Sequence, residues 1–507
     1  MKLIRSLLLT GMALGMSTTA LCAADYYISP ARPGPVAGTP LAAISLQATT
    51  QTRLQTNVNQ RGNTAGKWVR VGQAPTATAP TTTTTTTTTA STGTKTAMAT
   101  TTAPLIAPLA APTGGTTFPS FAALVQSGQL TGGDRVFLMD GYHGVLTIKD
   151  LDFTTPITIA QMPGQTAQVE MIGVYNSTNI IFRDFKVWAM SANAGTGPLI
   201  RTYAGSSDIT FANLDVRSVA DAGNYASWSQ TTWLANKRLG MLLQGTRITA
   251  VGNRITGLYH GIQTDGRLSS IVSNIVDGFS GDAMRALGDD NTVRGNKVQN
   301  CFQIDANHAD GFQSFSRGPT GTAGAGTVYN LVIENNKIFE WTLGTTNSLR
   351  CKLQGIGMFD GMFDNAQIRN NVIAVSGYHG IAVSGAVNTK ITHNTVVNPS
   401  GQATAYPWIK ISPHKNGTPS RKTTVANNTV NELRAYTNAT TGNLAVNNVV
   451  IKNAAAEFTS VAKQDFTLLA TAKSANAGGA AYAVPVDILG VPRPRGTGPD
   501  AGAYESR

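Results

Sequence analysis

One short stretch of the chain concentrates side chains that can do acid–base chemistry. It reads QIDANHADGFQSFSRG, from Gln303 to Gly318, in a chain with only six histidines among 507 residues. Within it, His308 stands between Asp305 and Asp310. A neutral imidazole titrates near working pH and a neighbouring carboxylate can orient it, so the stretch predicts a general base. A polar turn without catalytic use can have a similar composition, and the surrounding fold must decide between the two.

A repeated asparagine indicates the fold around this stretch. The segments VGNRI, IVSNIV, VRGNKV, IENNKI, IRNNVI, ITHNTV and VANNTV each hold an asparagine between apolar residues. These asparagines are Asn253, Asn274, Asn296, Asn336, Asn371, Asn394 and Asn428. Their spacing is roughly 22 residues, close to one coil of a three-sided parallel β-helix, or roughly 34 to 40 where a loop is inserted. Stacking of the coils predicts an asparagine ladder along one turn.

A second repeat predicts which side chains face outward on one sheet. Its segments are HGIQTDG, DAMRALG, DGFQSFS, QGIGMFDG and HGIAVSG, and the apolar third residue of each is expected to point into the core. By alternation, the fourth residues form an outward row that ends in an open floor of small residues. The row consists of Gln263, Arg285, Gln313, Gly357 and Ala382. The first residues form a neighbouring column: His260, Asp282, Asp310, Gln354 and His379.

Three further segments support this fold through a resemblance. DYYISP, FPSFAALVQSGQLTGGDRVFLMDGYHG and DILGVPRPRGTGPDAGAYE resemble the start, the N-terminal cap and the closing tail of secreted bacterial right-handed parallel β-helix proteins. That superfamily includes polysaccharide lyases and the alginate C5-epimerases. The resemblance implies an all-β, right-handed parallel β-helix of about ten or more coils, with an N-terminal cap and inserted loops. DANHAD is similar to the Asp-Pro-His-Asp segment of the epimerases, but it lacks the proline.

The chain divides into five predicted segments. Residues 1–24 have the basic start, apolar run and small residues of a cleaved signal peptide, which predicts a secreted or periplasmic protein. Residues 25–40 are expected to form the first strand of the cap, and 41–112 a disordered Thr/Ala/Pro-rich insert. The β-helix is expected over 113–453 and a C-terminal cap or tail over 454–507. No stretch beyond the signal is long and apolar enough to span a membrane.

Charge and cysteine content narrow the expected partners. The net charge of +12 favours an acidic polysaccharide over nucleic acid as the partner of an exported protein. Of the three cysteines, Cys22 lies in the signal peptide, which leaves Cys301 and Cys351. Two cysteines are too few for a disulfide scaffold, and the sequence leaves their pairing open. It does not indicate an oligomeric state either.

Uronate chemistry assigns roles to the clustered residues. Proton abstraction at C5 of a uronic acid requires a base, a carboxylate clamp and an acid. His308 is the predicted base, oriented by Asp310 or Asp305, and Arg285 is the predicted clamp because a guanidinium binds a carboxylate in a fork. Tyr378 with His379, or Tyr259, can supply the acid. The predicted substrate-binding residues are Gln313, Gln263, His260, Asp282, Asn307, Arg317, Phe315 and Lys352.

These assignments favour a polysaccharide lyase that acts by β-elimination. C5-epimerisation on the same scaffold is an alternative, as is hydrolysis by Asp282 and Asp310, because hydrolases use two carboxylates roughly 5 to 9.5 Å apart. A non-catalytic carbohydrate-binding surface protein is a third. No ligand spacing is diagnostic of a catalytic zinc, and calcium that bridges a substrate carboxylate to Asp282 or Asp310 is favoured over zinc as a cofactor.

Overall fold

A computed structural model describes residues 23–30, 107–190, 197–400 and 406–506. The predicted signal peptide, apart from residues 23 and 24, lies outside the described residues. The same holds for most of the Thr/Ala/Pro-rich insert.

Three long sheets of 14, 12 and 11 strands form the described part of the chain, and every pairing within them is parallel. The chain passes from the first sheet to the second and then to the third in each coil, and returns to the first one strand further along. This is a parallel β-helix, and the predicted fold class is confirmed.

The strands of each sheet are short because every coil turns at a polar residue after a few apolar ones. The first sheet contains Thr116–Phe118, Asp25–Ile28, Arg135–Leu138, Asp152–Gln161, Thr178–Arg183, Ser207–Ala212, Thr249–Val251, Ser270–Val272, Thr292–Arg294, Val332–Glu334, Gln367–Arg369, Lys390–Thr392, Thr424–Ala426 and Leu444–Val446. The second contains Gly141–Tyr142, Ala167–Val169, Lys186–Val187, Asp215–Arg217, Arg254–Leu258, Ile275–Phe279, Lys297–Cys301, Lys337–Phe339, Val372–Ala374, Thr395–Val397, Thr429–Val430 and Val449–Val450. The third contains Val145–Lys149, Met171–Tyr175, Pro198–Thr202, Leu239–Leu243, His260–Thr264, Met284–Ala286, Asp310–Phe315, Gln354–Asp360, His379–Ser384, Trp408–Ser412 and Glu432–Arg434.

Smaller elements lie outside the three long sheets. A three-stranded parallel sheet is formed by Thr327–Tyr329, Met362–Asp364 and Ala386–Val387, and an antiparallel hairpin by Phe458–Ser460 and Asp465–Leu468. Within the described ranges, the α-helices are Phe121–Gln126 and Gln230–Ala235, and the 3₁₀ helices are Ala220–Ser227, Ala454–Ala456, Val461–Lys463 and Ala480–Tyr482. The helix Phe121–Gln126 begins at Ser120, whose side chain accepts a hydrogen bond from Ala123 N, and it packs Phe121 and Leu124 into the core.

The predicted asparagine ladder is present and buried. Asn253 Nδ2 donates to Asn274 Oδ1 at 2.9 Å, and the same bond links every later member at 2.8 to 3.0 Å. The ladder continues one coil beyond the prediction, to Asn448. The residue before each ladder asparagine has a positive φ, between 51° and 68°. Glycine or asparagine stands at most of these positions because both tolerate the left-handed conformation.

The core lies inside the coils, and the C-terminal tail lies outside them. The inward residues of the second repeat, Ile262, Met284, Phe312, Ile356 and Ile381, are at most 1% exposed. The tail runs along the outer face of the second sheet, where Phe458 and Phe466 pack with Phe339 and Val372.

Candidate active site

The outward row on the third sheet follows the predicted order. Backbone pairing joins, strand by strand, Gln263, Arg285, Gln313, Gly357 and Ala382. Since neighbouring strands lie about 4.8 Å apart, the row forms a track of about 20 Å across the sheet.

The same row continues beyond Ala382, the last residue predicted for it. Ala382 pairs with Lys410, and Lys410 pairs with Arg434. The residues just before these two cations, Ile409 and Leu433, are apolar and in register with the inward Ile381. That pattern could have predicted both cations. A longer connection after Asn398 disturbs the repeat and hides that phase.

His308 and Asp310 form the predicted pair. His308 Nδ1 lies 3.5 Å from Asp310 Oδ2, with the His308 side chain 63% exposed and that of Asp310 fully covered. The hydrogen bond that His308 donates to the Asp310 carboxylate raises the pKa of His308. Because a carboxylate accepts only, the neutral imidazole carries its proton on Nδ1, and Nε2 is left as the basic nitrogen facing solvent.

Asp305 binds a lysine instead of the predicted partner His308. Its carboxylate binds Lys237 Nζ at 2.7 Å, and it accepts a hydrogen bond from the backbone N–H of Asn307. Of the two aspartates considered, Asp310 is thus the one in contact with His308. Burial raises the pKa of Asp310, and its second oxygen, Oδ1, is buried without a hydrogen-bond donor among the described residues.

Arg285 is bound within the sheet. Its guanidinium donates to Asp282 Oδ2 at 2.6 Å and contacts Gln263 Oε1 at 3.3 Å, and its side chain is only 19% exposed. Asp282 Oδ1 accepts the backbone N–H of Asp310, so both oxygens of this carboxylate are occupied. The predicted clamp thus stands in the outward row but is paired with Asp282, whose charge it neutralises.

The hydrolytic alternative receives no support from this arrangement. Asp282 and Asp310 are 2% and 0% exposed, so neither carboxylate faces the groove as an acid or a base toward a sugar. Calcium that bridges to Asp282 meets the same obstacle, because both oxygens of Asp282 are occupied. Within the described part of the chain, no three or more His, Cys, Asp or Glu side chains gather as a metal site.

His379 lies two strands from Asp310, next to an aromatic cluster. Trp408 Nε1 donates to His379 Nδ1 at 3.2 Å, and the rings of Tyr378 and Phe359 lie 4.2 and 4.7 Å from the imidazole. Burial, with help from Lys410, lowers the pKa of His379 to about 4. His379 is therefore neutral and presents Nε2–H.

Lys410 and Arg434 supply the positive charge of the groove. Arg434 lies flat on Trp408, with Cζ 3.6 Å from the ring centroid, and is paired with Glu432. Lys410 Nζ lies 5.8 Å from the Trp408 ring and forms no ion pair with a residue that the structure describes. Lys410 is thus the cation that is available to a ligand.

Gly357 forms the floor between the two histidines. A Cβ at this position would lie 2.5 Å from a Phe359 ring carbon and 2.9 Å from Asp310 Oδ1. The absence of a side chain therefore lets Asp310 reach across the strand and lets Phe359 lie against the sheet.

The other predicted binding residues divide between the groove and its surroundings. Gln263 Nε2 and Arg317 both bind Asp265, and Arg317 also covers the Phe315 ring at 5.4 Å. Gln313 Nε2 donates to Asp310 Oδ2 at 3.1 Å.

Three more of them lie at the edges. His260 accepts the backbone N–H of Asp282 on Nδ1, and burial lowers its pKa to about 4, so it is neutral. Asn307 lies in the loop before His308, where Gln303 donates to its backbone carbonyl. Lys352 is exposed and forms no ion pair with a described residue.

Two anchors hold the loop that carries His308. Cys301 and Cys351 form a disulfide, which settles the pairing that the sequence left open. Phe302 and Ile304 pack into a second cluster with Tyr225 and Trp233. The loop is therefore fixed before it reaches His308 and Asp310.

The known proteins to which this chain is similar are found among solved structures alone. No family model matches the sequence, and no curated protein matches it either. Among solved structures, the chain is similar to a pectate lyase (14% identity, TM-score 0.35, 76% of this chain and 92% of the other). It is also similar to the A-module of a mannuronan C-5 epimerase from Azotobacter vinelandii (14%, 0.42, 65% and 93%).

A third similar structure is a mannuronic-acid-specific polysaccharide family 6 lyase from human gut microbiota (14% identity, TM-score 0.37, 63% of this chain and 79% of the other). No substrate or reaction is transferred from these proteins. In the described ranges, no helix has the length and apolar character needed to cross a membrane. The strand pairing itself identifies this chain as a parallel β-helix protein.

Proposed function

We propose that this protein is a polysaccharide lyase that cleaves an acidic polysaccharide by β-elimination at a uronic acid. The observation that carries the proposal is the His308–Asp310 pair at 3.5 Å beside Gly357, with Lys410, a cation without an ion-pair partner among the described residues, two strands beyond that glycine. A base of raised pKa, a cation and hydrogen-bond donors are the groups that this reaction requires.

The reaction begins with the base. Nε2 of His308 removes the C5 proton of a uronate seated over Gly357, while Asp310 stabilises the imidazolium that forms. The electron pair left at C5 forms the C4=C5 double bond, and the bond from C4 to the glycosidic oxygen breaks. Tyr378, 49% exposed, gives its phenolic proton to the leaving oxygen and regains a proton from solvent.

The carboxylate of the uronate takes up charge as C5 is deprotonated. Lys410 lies two strands from Gly357, roughly 10 Å between backbones, within reach of a long lysine side chain. His379 Nε2–H adds a neutral donor to the same region. Together they replace Arg285 in the role that the sequence suggested for it.

Partner and location follow from the same chemistry. A groove with an unpaired cation and aromatic side chains suits an acidic polysaccharide, and the Cys301–Cys351 disulfide favours an oxidising compartment. Both support secretion or export to the periplasm.

The test is a panel of acidic polysaccharides, assayed by the ultraviolet absorbance of the unsaturated uronate product, with calcium and with a chelator. The wild type is compared with His308→Ala and with His414→Ala, a buried histidine distant from the pair in sequence. Absorbance that only His308→Ala abolishes supports the proposal. New reducing ends without absorbance would instead indicate hydrolysis, and binding without any product a non-catalytic role.

C5-epimerisation uses the same first step and is the second candidate. His308 removes the C5 proton, and a donor on the opposite face returns one without cleavage at C4. His379 and Tyr378, two strands away from Asp310, are the observation that favours it. Exchange of solvent deuterium into the polymer without new chain ends would identify this reaction.

A further inference from the structure

A pair of lysines on the outer face of the second sheet stands apart from the active site. Lys297 and Lys337 are direct partners on neighbouring strands, so their side chains leave the same face about 4.8 Å apart at the backbone. Both are half-buried. Neither ammonium group forms an ion pair or a hydrogen bond with any residue that the structure describes.

The arrangement places two like charges side by side, with Lys297 Nζ 5.9 Å from the Phe339 ring centroid. Two like charges side by side repel, and partial burial removes water that would screen them. Burial and the neighbouring Lys297 both lower the pKa of Lys337, and burial likewise lowers the pKa of Lys297. Two arginines of the neighbouring coils, in contrast, have ion-pair partners: Arg254 pairs with Asp277, and Arg369 pairs with Glu334.

Two groups of side chains flank the lysines. On one side, Asp277 is occupied by the Tyr225 hydroxyl and Asn300 as well as by Arg254. On the other side, the tail hairpin packs Phe466 against Phe339, next to the lysines.

The remaining charged group near the lysines belongs to the hairpin. Asp465 accepts hydrogen bonds from the backbone and side chain of Thr467. Neither Asp277 nor Asp465 approaches a lysine ammonium as an ion-pair partner. The floor also holds Gln299, whose buried Oε1 has no hydrogen-bond donor among the described residues.

We propose that Lys297 and Lys337 form an oxyanion-binding site, separate from the active site, that takes a carboxylate or sulfate bridging the two ammonium groups. An oxyanion between them turns a repulsive pair into two charge-assisted contacts. The anion comes either from solution, as an inorganic oxyanion, or from a uronate of an acidic polysaccharide. The site lies on the second sheet, so it can be occupied while the third sheet is engaged elsewhere, and it does not depend on the proposed reaction.

The test measures thermal unfolding of the full chain in chloride, in sulfate at equal ionic strength, and with a short oligouronate in chloride. The variants are Lys297→Gln/Lys337→Gln, the single Lys337→Gln, and Lys186→Gln as a control. Lys186 stands on the same face of the second sheet, paired with Gln168 and Asp215 instead of a lysine. Every protein in this test, including the parent, also carries His308→Ala, so that no oligomer is consumed.

The proposal expects a saturable rise in Tm of about 2–5 °C for the parent and for Lys186→Gln when anion reaches about one hundred times its Kd. The double variant loses that rise, and the single variant loses most of it. In low-salt chloride, Lys337→Gln melts no lower than the parent because a repulsion has been removed.

The anions distinguish the source of the ligand. A rise with sulfate alone assigns the site to small oxyanions, and a rise with the oligouronate assigns it to the polymer. Equal rises in the parent, the control and the double variant, or no rise in any of them, would overturn the proposal. Both results are independent of whether the protein cleaves anything.

Discussion

Trp408 Nε1 donates a hydrogen bond to His379 Nδ1 at 3.2 Å across neighbouring strands of the third sheet. An indole N–H can only donate, so the neutral imidazole carries its proton on Nε2. The pKa of His379, lowered to about 4, keeps the ring neutral at working pH. His379 is therefore a fixed hydrogen-bond donor in the groove, whereas His308 is the proposed base.

Replacing Trp408 by phenylalanine removes this donor and keeps an aromatic ring beneath Arg434. The imidazole of His379 is then free to place its proton on either nitrogen. We expect kcat/KM to fall about 10-fold, and the ¹⁵N signals of His379 to change from one tautomer to a mixture. Trp341→Phe is the matched control, because Trp341 Nε1 bonds the Thr345 carbonyl outside the groove. An unchanged tautomer in Trp408→Phe would contradict the assignment.

The pH dependence follows from His308. Asp310 raises its pKa above the ordinary value, and the base works only when neutral. kcat/KM is therefore expected to fall as the pH drops through this raised pKa. Asp310→Asn removes the charge and moves the inflection to lower pH. His379 should add no inflection near neutrality, since its pKa is about 4. A pH profile that Asp310→Asn leaves in place would show that another group is the base.

A side chain at position 357 fills the floor of the site. Gly357→Ala places a Cβ within 2.5 Å of the Phe359 ring and 2.9 Å of Asp310 Oδ1, so the ring and the carboxylate must shift. Misplacement of this size is expected to cost about 10- to 100-fold in kcat/KM, with little change in Tm. Gly344→Ala is the control, because nothing lies within 4 Å of the added atom. Equal activity of the two variants would remove Gly357 from the site.

Lys410 is expected to bind the substrate carboxylate. Lys410→Gln should lower kcat/KM by about 10- to 100-fold, because charge-assisted contacts are the stronger ones, and Lys410→Arg should keep part of the activity. Lys390→Gln, an exposed lysine on the first sheet, serves as the control. If instead Lys410→Gln is fully active and an Arg285 variant with a normal Tm is not, the clamp is Arg285.

The asparagine ladder should dominate stability. Asn371→Ala removes the acceptor of the Asn336 backbone N–H and of one N–H of the Asn336 side chain, and it removes the donor to the Ile333 carbonyl. Buried groups without partners are expected to lower the free energy of unfolding by about 2–4 kcal/mol. Asn416→Ala, at an exposed turn, should change it little. Denaturant unfolding with comparable midpoints for both variants would contradict a stabilising ladder.

Regular features of the fold were readable from the sequence because a parallel β-helix repeats its chemistry once per coil. The ladder asparagines and the row from Gln263 to Ala382 stand in phase, and their neighbours in space are their counterparts one coil away. The ladder ran one member further, to Asn448, which precedes a strand too short to stand out. Lys410 was not predicted because the longer connection before it interrupts the regular spacing of the second repeat.

The sequence did not predict in the same way which charged side chains of the site bind each other. Arg285 is three residues after Asp282 and two strands from the floor at Gly357, and only side-chain geometry shows that it binds the aspartate. Asp305 and Asp310 flank His308 at similar distances in sequence, yet Lys237 takes one of them. The repeat places a residue on a face of a coil, and the packing of loops decides which partner it finds.

The most direct test of the account is the initial rate of unsaturated-uronate formation by purified wild type and His308→Ala on the polysaccharide that the wild type prefers. The account predicts that the variant keeps the wild-type Tm and loses about 10²- to 10⁴-fold in rate, the usual contribution of a general base. A variant that retains the wild-type rate would contradict it, as would a wild type that forms no unsaturated product on any uronate polymer.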